Sequence, residues 1–246
     1  MLKNTVLLFV LLGLNFSCEK QTISAEAIIN KSIKVSGGER FKTSTIEFDF
    51  RDKHYLAKHN NGNYVLERIS VKGSDSIIDR LTNDGFERFI NHEHVVLPDT
   101  IANLYSASVN SVHYFSVLPI GLHSEAVNKE YIAEVSIKGE PYHKIKVTFN
   151  EDGGGEDYDD VFLYWVHTKT NKVDYLAYSY HENDGLGMRF REAYNERYVK
   201  GIRFVDYNNY KPISKLSILN NLDVLFDEDK LELLSKIGIE QVTVTY

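Results

Sequence analysis

The feature that most constrains the fold is a series of short segments in which apolar and polar residues alternate, separated by turn-forming residues. The alternation is clean in Thr45–Phe50, and the turns at 60–63 (NNGN) and 83–85 (NDG) contain Asn-Gly and Asp-Gly pairs. A period of two places successive side chains on opposite faces of a strand, and such Gly-containing pairs favour hairpin turns. With a strand roughly every 8–12 residues, the pattern predicts an antiparallel meander. Further strands are predicted over 54–59, 64–71, 76–81, 86–90, 131–137, 142–149, 161–167, 173–180, 186–197, 199–207 and 241–246.

Three segments are expected to be helical. Residues 24–38 begin with Ser24 as N-cap and end at a Gly-Gly pair, which favours helix termination. Residues 99–118, with Asp99 as the candidate cap, are apolar over more than a narrow stripe, which predicts a helix buried on most sides. A short third helix is expected over 226–234, with acidic residues at its start.

The strand predicted at 161–166 (VFLYWV) is apolar on both faces. An antiparallel strand with one solvated face alternates, so both faces of this strand must be covered. The 99–118 helix is the candidate cover on one side. A curved antiparallel sheet wrapped around helices satisfies this requirement, and so does a sandwich. The sequence therefore predicts a mainly β fold of the α+β type.

The N-terminal residues have the organisation of a secretory signal. Lys3 precedes the apolar run TVLLFVLLGL at 5–14, which suits the core of a signal peptide and is too short to span a bilayer. Ser17 then precedes Cys18, the only cysteine of the chain, which excludes an intramolecular disulfide. This arrangement predicts a lipoprotein signal cleaved before an acylated Cys18, although Asn15 stands where a lipobox usually has leucine.

Three regions follow from this interpretation. Residues 1–17 are expected to be the lipoprotein signal peptide, and residues 18–23 the lipidated N-terminus and its tether. Residues 24–246 are expected to form a single β-rich domain, attached to a membrane through the lipid on Cys18. Two or more acyl chains give stable anchoring, whereas one gives marginal binding.

Charge and composition exclude one class of partner and favour another. The formal net charge is −7, and no basic stripe of the kind that binds phosphate backbones is present, so no nucleic-acid partner is expected. The run RFREAYNER at 189–197 interleaves Glu with Arg and is interpreted as a solvated mixed-charge face. The 16 Tyr and 13 Phe favour strands and large aromatic surfaces, either buried or facing a ligand.

The order of these elements carries a family resemblance. A lipoprotein signal, an amphipathic helix ending in Gly-Gly, a meander, an apolar helix followed by LPIG at 118–121, and a second meander resemble the outer-membrane lipoprotein carrier (LolA-like) superfamily. The 161–180 hairpin, with Trp165 and the turn TKTN at 168–171, is similar to a group of Bacteroidota envelope lipoproteins within or near that superfamily.

The resemblance implies a half-open β-barrel with helices covering its concave side, often with an apolar cavity for acyl chains. It also implies a place in the cell envelope, at the outer membrane and facing the periplasm. The carrier itself is soluble and lacks an anchor, so the resemblance does not imply that this chain shuttles lipoproteins.

The predicted function is non-catalytic binding of a lipid or another apolar ligand in such a cavity. Its candidate lining residues are aromatic or apolar, and the alternative for each is a closed core. Two other functions stay open: an envelope hydrolase using paired carboxylates, and an interaction module of an envelope complex. The candidate lining residues are Trp165, Phe115, Tyr114, Phe162 and Met188.

Neither a metal nor a cofactor is expected. The acidic loop EDGGGEDYDD at 151–160 offers carboxylates for calcium, but its spacing does not match an EF-hand, and it is interpreted as a solvated loop. His92 and His94 share a face if they lie on a strand, but no third zinc ligand is identifiable, and they are interpreted as surface residues. The sequence contains no nucleophile elbow, Walker A motif, HExxH or dinucleotide-binding motif.

Overall fold

The computed structural model describes residues 24–151, 159–182 and 185–246, which form two seven-stranded antiparallel sheets and four helices. The helices are α1 (Ala25–Val35), α2 (Gly38–Phe41), α3 (Asp99–Ser116) and α4 (Leu222–Asp227), with short 3-10 turns at Ile120–His123 and Leu219–Asn221. The strands are β1 (Thr45–Phe50), β2 (Lys53–Asn60), β3 (Asn63–Lys72), β4 (Asp75–Thr82), β5 (Gly85–Ile90), β6 (Glu93–Val95), β7 (Val127–Ile137), β8 (Glu140–Phe149), β9 (Val161–His167), β10 (Val173–Glu182), β11 (Gly185–Val199), β12 (Ile202–Pro212), β13 (Leu231–Ile237) and β14 (Glu240–Thr245).

The first sheet is a meander in the order β14-β1-β2-β3-β4-β5-β6. Its β2–β3 hairpin closes where Asn60 pairs with Asn63, and the two residues between them, Asn61 and Gly62, have φ of 48° and 102°. Both positive values are what a type I′ turn requires, which explains the Asn-Gly sequence. The predicted hairpins of this sheet are confirmed.

The second sheet has the order β13-β12-β11-β10-β9-β8-β7, again joining neighbours in sequence. Register shifts interrupt the pairing at four of its six strand interfaces, and such bulges bend and twist strands. Strand β9 is buried on both faces, as its sequence predicts. One face packs against a core that includes α1, and the other against a core that includes α4.

Helix α1 begins as predicted, because the Ser24 side chain accepts a hydrogen bond from the Ala27 backbone N–H at 3.2 Å. It ends before Gly37, which has φ of 92°. A Cβ at Gly37 would collide with the carbonyl oxygen of Gly201, so the close approach of this turn to β12 requires glycine.

Helix α3 departs from its prediction in two respects. Its N-cap is Pro98, with no side-chain cap, and Asp99 lies in the first helical turn. Only Val109 and His113 are buried, whereas Leu104 is 66% exposed, so the expectation of a helix buried on most sides is wrong. The reason is that α3 packs one narrow side against the first sheet, chiefly on β3, β4 and β5.

The helix predicted over 226–234 is also wrong. Helix α4 ends at Asp227, and residues 231–237 form β13, paired with β12 from Tyr207–Ile237 to Pro212–Leu231. Asp229 has φ of 53°, which breaks the helix and turns the chain into the strand. Pairing with an available sheet edge overrides the local helical preference of these residues.

The predicted fold class is confirmed: the protein is mainly β, built from antiparallel meanders with helices packed on them. Within the described ranges, no helix is both long and apolar enough to cross a membrane. The predicted signal peptide, Cys18 and its tether lie outside the described residues, as does most of the acidic 151–160 loop.

Candidate functional site

A cavity of about 880 Å³ lies between α3 and the two sheets, and we call it the inner cavity. Exposed residues on its border, such as Arg51 and Asn110, mark where it opens to solvent. Its volume lies in the usual range of small-molecule sites, about 300–1,000 Å³. Its described lining consists of Phe50, Arg51, Tyr64, Leu81, Ser106, Ala107, Asn110, Ser111, Val112, Tyr114, Phe115, Ser116, Gly121, Ser124, Val127, Phe149, Asp159, Asp160, Phe162, Tyr178, Tyr180, Arg191, Val205, Tyr207, Ile237 and Ile239.

An aromatic wall forms the side of the inner cavity on the second sheet. Phe162 on β9 stacks on Tyr178 of β10 with ring centroids 5.3 Å apart, and it meets Phe149 of β8 edge-on at 5.7 Å. Phe115 of α3 completes the wall, 5.5 Å from Tyr178 and 6.3 Å from Phe162. Such offset and edge-to-face contacts hold aromatic rings in fixed positions, so the wall is a preformed apolar surface.

Tyrosine hydroxyl groups make the inner cavity and the core beside it more polar without adding charge. The hydroxyls of Tyr114 and Tyr164 are hydrogen-bonded to each other at 3.1 Å, and Tyr207 is buried beside them in the same core. Burial raises the pKa of Tyr114 to about 12 and raises the pKa of Tyr207 as well. These phenols therefore stay neutral at physiological pH.

Arg191 on β11 is the one buried cation among the described lining residues. Its Nη2 donates a hydrogen bond to the Tyr178 hydroxyl at 2.8 Å, and its Cζ lies 4.0 Å from the centroid of Phe115. The interpretation of 189–197 as a solvated charged face is therefore wrong at Arg191, which is only 8% exposed. Arg191 and Ala193 are two residues apart on β11 and therefore share a face, and Ala193 packs against the core that includes Tyr164 and Tyr207. Alternation along the strand could therefore have predicted that Arg191 faces inward.

Three of the five predicted lining residues, Tyr114, Phe115 and Phe162, come together at the inner cavity. Trp165 and Met188 do not, because they pack in a separate core on the other face of the second sheet. Trp165 is fully buried there, and its Nε1 donates to the Asp223 carboxylate of α4 at 3.1 Å. Successive residues of a strand face opposite ways, so Phe162 and Trp165, three apart on β9, cannot line the same cavity.

The described lining offers little for acid–base or metal chemistry. Its carboxylates are Asp159 and Asp160, neighbours in sequence, and a hydrolase pair must instead flank a bond from two sides. No group of three His, Cys, Asp or Glu that suits a metal exists in the part of the chain that is described. His92 lies in the turn after β5 and His94 on β6, and both are exposed.

Comparisons place the chain among other proteins. The model of a family of unknown function (DUF6503) matches residues 3–239. Comparison with curated proteins finds no sequence match. Among crystal structures, a LolA superfamily protein from Nitrosomonas europaea is 12% identical with a TM-score of 0.47, covering 91% of this chain and 92% of that chain.

Two further crystal structures show likenesses of the same kind. A DUF1329 family protein from Desulfovibrio piger is 7% identical with a TM-score of 0.46, covering 90% of this chain and 91% of its own. A candidate outer-membrane lipoprotein-sorting domain from Vibrio parahaemolyticus is 10% identical with a TM-score of 0.43, covering 76% and 86%. All three are distant likenesses.

Proposed function

The chain belongs to the DUF6503 family, whose function is unknown, and from its inner cavity we propose that it binds a lipid or another apolar ligand without catalysis. The observation that carries the proposal is the preformed aromatic wall, in which Phe115, Phe162 and Tyr178 face a space of about 880 Å³. Burial of apolar surface in such a space drives binding, and the hydroxyl groups at its wall orient the ligand.

We propose further that the single domain over 24–246 is held at a membrane of the cell envelope through the acylated Cys18. The support is the sequence itself: an apolar core at 5–14 that follows Lys3 and precedes the small residue Ser17. A cavity tethered at a membrane surface has immediate access to lipids, which suits a binding protein for apolar ligands.

The test is uptake of palmitate by the purified full chain, measured by native mass spectrometry, with any co-purified lipid identified by organic extraction of a separate sample. We expect one or a few bound palmitate molecules per chain. Ala107→Trp should weaken the uptake, because Ala107 of α3 lines the inner cavity and the larger side chain occupies the ligand's space.

Asn103→Trp is the matched control, since it places the same side chain one turn earlier on α3, at an exposed position outside the lining. It should leave uptake unchanged. A folded wild-type protein that takes up no palmitate would refute the proposed function. Unchanged uptake in Ala107→Trp would show that palmitate binds outside the inner cavity.

A further inference from the structure

Arg191 lies in surroundings that are costly for a charge. It is 8% exposed, and its neighbours in the wall are the rings of Phe115, Tyr178 and Tyr207, with Cζ-to-centroid distances of 4.0, 5.1 and 5.9 Å. An arginine carries a permanent positive charge in proteins. Removing that charge from water is unfavourable unless an anion or several hydrogen bonds replace the lost hydration.

The described part of the chain replaces little of that hydration. A guanidinium has five N–H donors, and the Tyr178 hydroxyl takes one of them. Among the described residues, the buried Nε of Arg191 has no hydrogen-bond partner. No described carboxylate forms an ion pair with the Arg191 guanidinium. The aromatic rings offset part of the cost through cation–π contacts, but they do not accept the remaining N–H groups.

Other arginines with little solvent exposure show the contrast. Arg68 and Arg88 both bond to the Asp79 carboxylate, and Arg203 bonds to Glu196 and Asp174. In each case the fold supplies the anion. Arg191 faces a cavity instead, which is where a ligand would supply it.

We propose that Arg191 is the anion-recognition residue of the inner cavity, and that the ligand is an amphiphile whose carboxylate or phosphate head group bonds to its guanidinium while the apolar chain lies along the aromatic wall. The planar fork of a guanidinium matches both head groups in two-point hydrogen bonding. The Tyr178 hydroxyl accepts from Arg191, so its own O–H remains available to donate to the same head group. This inference rests on the proposed function and names its ligand class.

Three other charged residues border the inner cavity. Arg51 and Asp159 are exposed, and Asp160 is half-buried. Water screens the exposed charges of Arg51 and Asp159, so they interact with a bound head group less strongly than the buried guanidinium does. The control is Arg40 of α2, an exposed arginine that does not line the cavity.

The test compares palmitate with 1-hexadecanol, which has the same chain length and a neutral head, on the full chain at a pH where palmitate is ionised. Wild-type protein should prefer palmitate. Arg191→Met should weaken palmitate binding by about tenfold to a hundredfold, the effect of losing hydrogen bonds to a charged group, and should change hexadecanol binding little. Arg40→Met should leave the preference intact.

The outcomes separate the two proposals. If the wild type binds neither compound, both the proposed function and this inference fall. If it binds both with equal affinity, apolar binding stands and the role of Arg191 is refuted, whether or not Arg191→Met folds. Equal losses in Arg191→Met and Arg40→Met would also refute it.

Two more probes identify the head group. Hexadecyl phosphate has the same chain length as palmitate, so competition between them compares the two head groups. The compound that binds more tightly identifies the preferred anion. Inorganic phosphate has no chain and should bind at least about a hundredfold more weakly, since it gains nothing from the aromatic wall. Binding of inorganic phosphate as tight as that of hexadecyl phosphate would refute the amphiphile and point to a free anion.

Discussion

Asp79→Asn should destabilise the protein more than any change to a surface charge. The Asp79 carboxylate on β4 accepts hydrogen bonds from Arg68 at 2.6 and 3.1 Å and from Arg88 at 2.6 and 2.9 Å. Its side chain is 2% exposed, and those of the two arginines are 10% and 14% exposed. The substitution removes the anion and leaves two cations buried, which costs about 3–5 kcal/mol of unfolding free energy.

A cross-strand pair in the second sheet provides the control. Lys211 of β12 pairs with Glu232 of β13, and Lys211 Nζ lies 3.3 Å from Glu232 Oε2. The two side chains are 41% and 56% exposed, so water screens this pair. Glu232→Gln should therefore cost about 1 kcal/mol or less.

Urea unfolding followed by far-UV circular dichroism measures both changes. A loss of 3–5 kcal/mol corresponds to a fall in Tm of roughly 6–20 °C for a chain of this size. If Asp79→Asn lies within about 1 kcal/mol of the wild type, or matches Glu232→Gln, the buried cluster does not stabilise the fold as argued.

Asp79→Asn should also loosen helix α3, which forms one side of the inner cavity. Arg68 donates from Nη1 to the Ser108 hydroxyl at 2.7 Å, and Arg88 lies 3.7 Å from the ring centroid of Tyr105. Both contacts hold α3 on the first sheet. Hydrogen exchange of α3 amides should therefore be faster in Asp79→Asn than in Glu232→Gln, and equal rates would show that α3 is held by its apolar contacts alone.

Two further predictions concern the buried histidine and the anchor. Burial lowers the pKa of His113 from 6.5 to about 4. Between those pH values the unfolded chain binds a proton that the folded chain does not. The free energy of unfolding should therefore decrease by about 3 kcal/mol as the pH is lowered from 6.5 to 4. His113→Gln should remove that part of the slope in urea unfolding at pH 7 and pH 4, and an unchanged difference between the two pH values would contradict the assignment. Cys18→Ser should shift the protein from the membrane fraction to the soluble or uncleaved fraction and abolish labelling by a radioactive fatty acid; labelling that persists would exclude Cys18 as the lipid attachment site.

The strands and their turns follow from local rules that the sequence records directly. Alternation in Thr45–Phe50 and the positive φ values at Asn61 and Gly62 depend on residues close in the chain, so β1 and the β2–β3 hairpin could be predicted. The same holds for the start of α1, where Ser24 caps the helix three residues away. The burial of both faces of β9 was also predictable, because its composition allows neither face to meet water.

Which face of β9 meets which neighbour was not predictable. Phe162 and Trp165 are both large and aromatic, and only the placement of α3 on one side and α4 on the other assigns one to the inner cavity and the other to a closed core. Residues 231–237 likewise become a strand only because β12 offers an unpaired edge.

Arg191 is the clearest case of a property decided by tertiary structure. By sequence it is one charge among several in RFREAYNER, and local patterning places such runs in solvent. The strands, the turns and the mainly β class followed from local sequence patterns, because backbone preferences act over a few residues. That this cation faces an apolar cavity depended on the tertiary structure, because its burial arises from contacts such as the one between Phe115 of α3 and Arg191 of β11, which are 76 residues apart in the chain.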